Sequence, residues 1–212
     1  MSAARPPYQR PNLRVVSEGR EILEQIAAGH PIPHLASPQA DIRRLAVAGC
    51  AGLGLAALAP LTELIEKEPD AHTRAEAIEV LGGLGSEAFA VVWPARRDPA
   101  TTVVEAVATA LGEIGDIRAV EWLSEMLADH PEPIVREAAV AALGAIGDER
   151  ALPRILEAAT GGKPQIRRRA VVALTAFDGP EVEQALLAAR MDRNPMVREV
   201  AEMVMGRPGT TS

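Results

Sequence analysis

Aromatic residues are nearly missing from this 212-residue chain: they make up 2% of it, against 48% hydrophobic residues in all. The apolar content is therefore carried by Ala, Leu, Val and Ile. A β-sandwich needs Tyr, Phe, Trp and Thr on its pleated faces and is excluded, whereas Ala and Leu are strong helix formers and small side chains let helices approach closely. Cysteine occurs once, at Cys50, which rules out an internal disulfide and fits a reducing compartment. No charge-free apolar stretch reaches 18 residues. The run Leu45 to Leu61 is broken by Gly49, Gly52, Gly54 and Pro60, so it does not read as a membrane span. Met1 to Pro11 lacks the apolar core of a signal peptide, and a cytoplasmic location is expected. Positive charge is short as well. The net charge is −7, and because residues 1–20 carry four arginines (Arg5, Arg10, Arg14, Arg20) against Glu18, the remainder carries −10. Such a body repels polyphosphate, which argues against nucleic acid as a partner.

What the chain has instead is a repeat. Ile134 to Asp148 reads Ile-Val-Arg-Glu-Ala-Ala-Val-Ala-Ala-Leu-Gly-Ala-Ile-Gly-Asp, and Val103 to Asp116 reads Val-Val-Glu-Ala-Val-Ala-Thr-Ala-Leu-Gly-Glu-Ile-Gly-Asp. The same frame recurs at Ile42-Arg43, Thr73-Arg74, Ile166-Arg167 and Val197-Arg198. The equivalent positions are 43, 74, 104, 136, 167 and 198, a period of 30 to 32 residues. That length holds two helices of about three turns each. The first helix of each unit opens near a proline (Pro38, Pro69, Pro99, Pro133, Pro164, Pro195), a residue tolerated where the amide would lack a partner anyway. Val135, Ala138, Ala139, Ala142, Leu143 and Ile146 give an apolar stripe at helical spacing. Gly144 and Gly147 are expected to end that helix, with Asp116 and Asp148 capping the second helices of their units.

The Val-Arg-x-x-Ala-x-x-Ala-Leu-Gly-x-Ile-Gly-Asp frame resembles the phycobilisome-lyase type of HEAT-like repeat over roughly residues 38–206. The resemblance implies an all-α fold, a right-handed α-α superhelix of about five helical hairpins with atypical ends, each hairpin burying its apolar face against its neighbours. The expected organisation is a basic, Pro-rich, disordered tail at 1–17, a capping helix and loop at 18–37, the solenoid at 38–206, and a frayed end at 207–212. Ser17 and Glu21 suggest a cap before a helix from Glu18 to Ala28, whose Ile22, Leu23 and Ile26 would cover the first repeat.

Few residues invite a catalytic reading. The frame arginines Arg43, Arg74, Arg136, Arg167 and Arg198 are expected to be structural, each reaching an Asp such as Asp116 or Asp148, or carbonyl oxygens, at the end of a neighbouring unit. Val104 stands where the third unit would have arginine. His30 and His34 bracket Pro31 and Pro33 on an irregular loop, and no histidine is followed by Glu, which excludes the di-iron hydroxylases built from such repeats. Cys50 sits in an apolar stretch and reads as a buried thiol. Gly82-Gly83-Leu84-Gly85 and Gly161-Gly162-Lys163 follow no strand, so they are helix ends rather than phosphate loops. Arg168 and Arg169 should face solvent or nearby acids. The second helices are expected to line the concave face. Aligning units on their Gly-Asp step puts Trp93 in the core slot of Leu123 and leaves Trp122, level with Val92 and Arg154, on a variable face with Glu121, Glu125, Met126 and Glu157. Trp122 either anchors a partner there or packs along the groove. The expected function is a non-catalytic protein-binding scaffold or adaptor, with no cofactor, no metal, no nucleic acid and no membrane; oligomeric state is left open. The alternative that the resemblance carries is a subunit of a bilin lyase.

Overall fold

In the computed structural model, residues 13–206 are described, and they contain α-helices and short 3-10 turns with no strand among them. Helix α1 (Leu13–Ala27) is followed by five hairpins: α2 (Ala40–Cys50) with α3 (Leu58–Lys67), α4 (Ala71–Gly82) with α5 (Phe89–Val92), α6 (Thr101–Ile114) with α7 (Val120–Asp129), α8 (Pro133–Ile146) with α9 (Leu152–Thr160), and α10 (Pro164–Ala173) with α11 (Pro180–Ala189). Helix α12 (Pro195–Met205) closes the stack. This is the right-handed α-α superhelix the repeat implied. Each unit contributes the same buried positions. Ile78, Ala108, Val140 and Val171 share one slot of the first helix, Leu81, Leu111, Leu143 and Leu174 the next, and all are completely buried. Each leucine so buried contributes about 1.5–3 kcal/mol.

The ends depart from expectation. Residues 13–17 are helical, so Ser17 lies inside α1 rather than before it; the rest of the expected tail, and residues 207–212, lie outside the described residues. Ile26 is buried against the first repeat, but Leu23 is 53% exposed, because it points off the far side of α1. The apolar path Ala40–Lys67 has the length and composition to cross a membrane only if straight. It is not straight: Gly54 adopts φ 56°, ψ −139°, and α2 and α3 fold back on each other.

Gly144 does not end its helix. Gly147, in the left-handed conformation, does so for α8, as Gly115 does for α6. Gly144 lies one turn earlier, and a Cβ there would sit 2.7 Å from the Ala173 Cα on α10. Gly112 meets Ala142 at 2.7 Å and Gly82 meets Ala110 at 2.9 Å in the same way. Successive first helices therefore touch backbone to backbone, while successive second helices meet only over short stretches. In a curved stack the closely spaced row lies on the inside. The first helices thus form the concave layer, and the second helices, which the sequence reading assigned to it, form the outer one.

Candidate functional site

The arginine ladder is present, with partners of a different kind from those expected. The Nε and Nη2 of Arg43 donate to Glu68 at 2.6 and 2.7 Å, those of Arg74 to Asp98 at 2.8 and 2.9 Å, and those of Arg167 to Asp192 at 2.8 Å each. Each carboxylate closes the second helix of the arginine's own hairpin. The Nη1 of each arginine donates to a carbonyl where the preceding hairpin ends: Ser37, Glu68 and Gly162 respectively. Arg198 keeps that bond, to the Asp192 carbonyl at 2.7 Å. Asp116 and Asp148 are not rungs. They cap the turns leading into α7 and α9 and pair with Arg118 and Arg150 two residues on, whose side chains are exposed. The two-pronged bonds hold Glu68 below the usual glutamate range and Asp192 down at about 2.

The ladder breaks in the middle. Val104 offers no guanidinium to Asp129, which occupies the carboxylate slot of the third hairpin. In the next hairpin the fault is reversed: the slot opposite Arg136 is filled by Gly161. Arg136 makes one side-chain hydrogen bond among the described residues, from Nε to the Leu127 carbonyl at 2.8 Å. A cavity of about 280 Å³ opens there, lined by Arg136, Asp129, Arg154, Glu157, Gly161 and Gly162, with Leu127 and Ile166 among its apolar walls.

The second-helix residues singled out from sequence lie on α7 (Glu121, Trp122, Glu125 and Met126) and α9 (Arg154 and Glu157). Glu121, Glu125, Arg154 and Glu157 are exposed, and Arg154 pairs with Glu157 at 2.8 Å. Trp122 and Met126 are half-buried and packed on the core. Trp122 stands edge-on to Trp93, ring centroids 6.2 Å apart, and Trp93 stacks on Phe89 at 5.5 Å. Arg96 lies 4.0 Å over Trp93 and Arg118 lies 3.9 Å over Phe89. The alignment behind Trp122 needs correction. The turn from Gly85 to Ala88 is one residue shorter than those from Gly115 to Ala119 and from Gly147 to Ala151, so every later position of α5 is offset by one. Val92, completely buried, is the equivalent of Leu123, while Trp93 is half-exposed and Val91 shares the slot of Trp122.

The first-helix layer carries a feature the sequence reading passed over. Glu76 and Glu79 on α4, Glu105 and Glu113 on α6, and Glu137 on α8 lie on neighbouring helix faces. Arginines offset the ends of this row: Arg44 pairs with Glu76 at 2.7 Å, and Arg169 and Arg168 lie 3.6 and 3.9 Å from Glu137. Glu79, Glu105 and Glu113 have no cationic partner within 4 Å among the described residues. Partial burial, with Glu76 and Glu113 nearby, raises the Glu79 carboxyl above its usual range; burial, with Glu79 and Glu137 nearby, does the same for Glu105. The signal was available in the sequence as acids recurring on the exposed side of consecutive frames.

The remaining candidates are structural. Cys50 is completely buried, and burial raises its thiol pKa. The His34 imidazole shares a 2.9 Å hydrogen bond with the Gln25 side chain on α1.

A family model for HEAT repeats matches residues 30–104, 58–144, 90–174 and 120–206. No match is found among curated protein sequences. Solved structures of similar shape include the complex of CpcE and CpcF of phycocyanin lyase from Nostoc sp. PCC7120 (22% identity, 72% of this chain and 99% of that one, TM-score 0.60). A designed armadillo repeat protein in complex with the peptide (KR)4 is another (17%, 84% and 97%, TM-score 0.58). YibA of E. coli is a third (16%, 93% and 77%, TM-score 0.65).

Proposed function

This chain belongs to the HEAT-repeat family, and from that premise we propose that it is a non-catalytic protein-binding scaffold whose inner, first-helix face receives a cationic segment of another protein. The observation that carries this reading is the run of carboxylates that have no cationic partner among the described residues, Glu79, Glu105 and Glu113, on adjacent helices of the concave layer. Partial burial and neighbouring acids disfavour the charged forms of Glu79 and Glu105, and a lysine- or arginine-bearing strand laid across the helices would relieve this. The designed armadillo protein of similar shape, which is in complex with a peptide of alternating Lys and Arg, supports the reading. A second reading, a bilin lyase subunit, draws support from the shape of the phycocyanin lyase pair and expects binding to phycocyanin instead.

The test is fluorescence anisotropy with labelled (KR)4 peptide. Saturable, salt-sensitive binding is expected, weakened about tenfold or more in the Glu79→Gln, Glu105→Gln double variant. Affinity should also fall as pH drops through the raised carboxyl pKa values, since protonation removes the charge. Binding that ignores the double variant but is lost in Trp122→Ala would move the site to the outer layer and overturn the proposal.

A further inference from the structure

The two faults in the arginine ladder lie at Val104 and Arg136, apart from the glutamates Glu79, Glu105 and Glu113. Wherever the ladder is complete, the frame arginine is held by a carboxylate 24 or 25 residues later. At Arg136 that position is Gly161. Its backbone conformation does not demand glycine, since φ −105° and ψ 165° are ordinary extended values, but a Cβ would lie a tight 3.2 Å from the Glu157 carbonyl, which must shift slightly to admit it. Aspartate fills the corresponding slot on either side, at Asp129 and Asp192. The Nε of Arg136 is committed to the Leu127 carbonyl, and neither Nη makes a hydrogen bond among the described residues. The cavity of about 280 Å³ in front of it has room for a carboxylate and the carbons that carry it.

We propose that this cavity binds a carboxylate supplied from outside the chain, held end-on by the two Nη groups of Arg136 in place of the missing internal one. Planar guanidinium and planar carboxylate match in this two-pronged geometry. The other charges in the wall shape the ligand. Arg154 pairs with Glu157 at 2.8 Å at the exposed edge of the cavity. Asp129, the orphan of the neighbouring rung, adds a negative charge, which disfavours polyanions and favours a carboxylate with a cationic group beside it. A free amino acid and an acidic side chain flanked by lysine in a bound protein share this chemistry.

Titration calorimetry on the full chain separates the two sources. The probes are free glutamate and an acetylated, amidated Lys-Glu-Lys peptide. Saturation by the peptide alone assigns the site to a protein ligand, and saturation by glutamate assigns it to a small molecule. In either case binding should fall at least about tenfold in Arg136→Gln, as expected for the loss of one charge-assisted pair. Gly161→Asp is the second variant, because it supplies the carboxylate internally: it should abolish binding and raise the melting temperature together. Failure of both probes to saturate overturns the proposal, as does binding that persists unchanged in Gly161→Asp. Neither result bears on the acidic face, whose glutamates these variants leave in place.

Discussion

Arg167 is 1% exposed, a burial that a guanidinium tolerates only when its charge is paired and each of its nitrogens is hydrogen-bonded. Asp192 and the Gly162 carbonyl supply those bonds, whereas Arg168 next to it lies 3.9 Å from Glu137 near the surface. Removing Arg167 strands a carboxylate and a carbonyl, so Arg167→Ala should cost about 3–5 kcal/mol in urea unfolding. Arg168→Ala should stay within about 0.5 kcal/mol. Arg136→Ala, losing one hydrogen bond, should fall between them at about 1 kcal/mol. The pair also sets an acid limit. The folded pKa of Asp192, about 2, lies below its unfolded value near 3.8. The contribution is therefore fully present above pH 4 and is lost as pH falls from there through 2. Arg167→Ala should remove that part of the acid dependence; an unaltered acid unfolding curve would show that the pair contributes nothing to it.

At the level of the helices, glycine in a helix interior ordinarily costs up to about 1 kcal/mol relative to alanine. Gly19 in α1 follows that rule, with nothing within 4 Å of a Cβ placed there, and Gly19→Ala should stabilise. Gly112 is a different case, since its Cβ would meet the Cα and Cβ of Ala142 at 2.7 and 2.8 Å. Gly112→Ala should destabilise by about 1–3 kcal/mol despite the better propensity, because α6 and α8 must part. A stabilised Gly112→Ala would show that the two helices have slack between them. The Gly–Ala contacts run from α4 to α10 and then stop: Thr175 takes the glycine position in the last full hairpin, where α10 passes into a 3-10 turn through Leu174–Ala176.

For the molecule as a whole, stability is a sum over neighbouring hairpins, so it is greatest in the middle and least at the ends. Leu143 lies in that middle, completely buried in α8. Leu143→Ala should cost about 2–5 kcal/mol. In hydrogen exchange the loss of protection should spread through α6, α8 and α10 together while α1 changes little. Protection lost in α8 alone would mean that the hairpins are independent. On α11, α12 and the turn between them, Leu187, Met191, Met196 and Met203 are exposed.

The sequence by itself determined the helical hairpin, its period, the buried Leu and Ala slots, and the positions of the arginine ladder, because these are properties of one repeat and recur in each. It also marked one fault, Val104 where arginine should stand; Gly161 read only as a helix end until Glu68, Asp98 and Asp192 were seen to hold the frame arginines. It could not determine which layer lies inside the curve. That depends on how closely the first helices approach compared with the second, and the glycines at 82, 112 and 144 read equally well as helix stops until their neighbours across the interface are seen. Nor could it show that Trp93 and Val92 exchange roles, since a one-residue shortening of the turn after Gly85 shifts α5 while leaving the frame before it intact. The joining of Arg136, Asp129 and Gly161 at one cavity was likewise decided by tertiary structure, because superhelical stacking sets the carboxylate slot of one hairpin beside the arginine of the next.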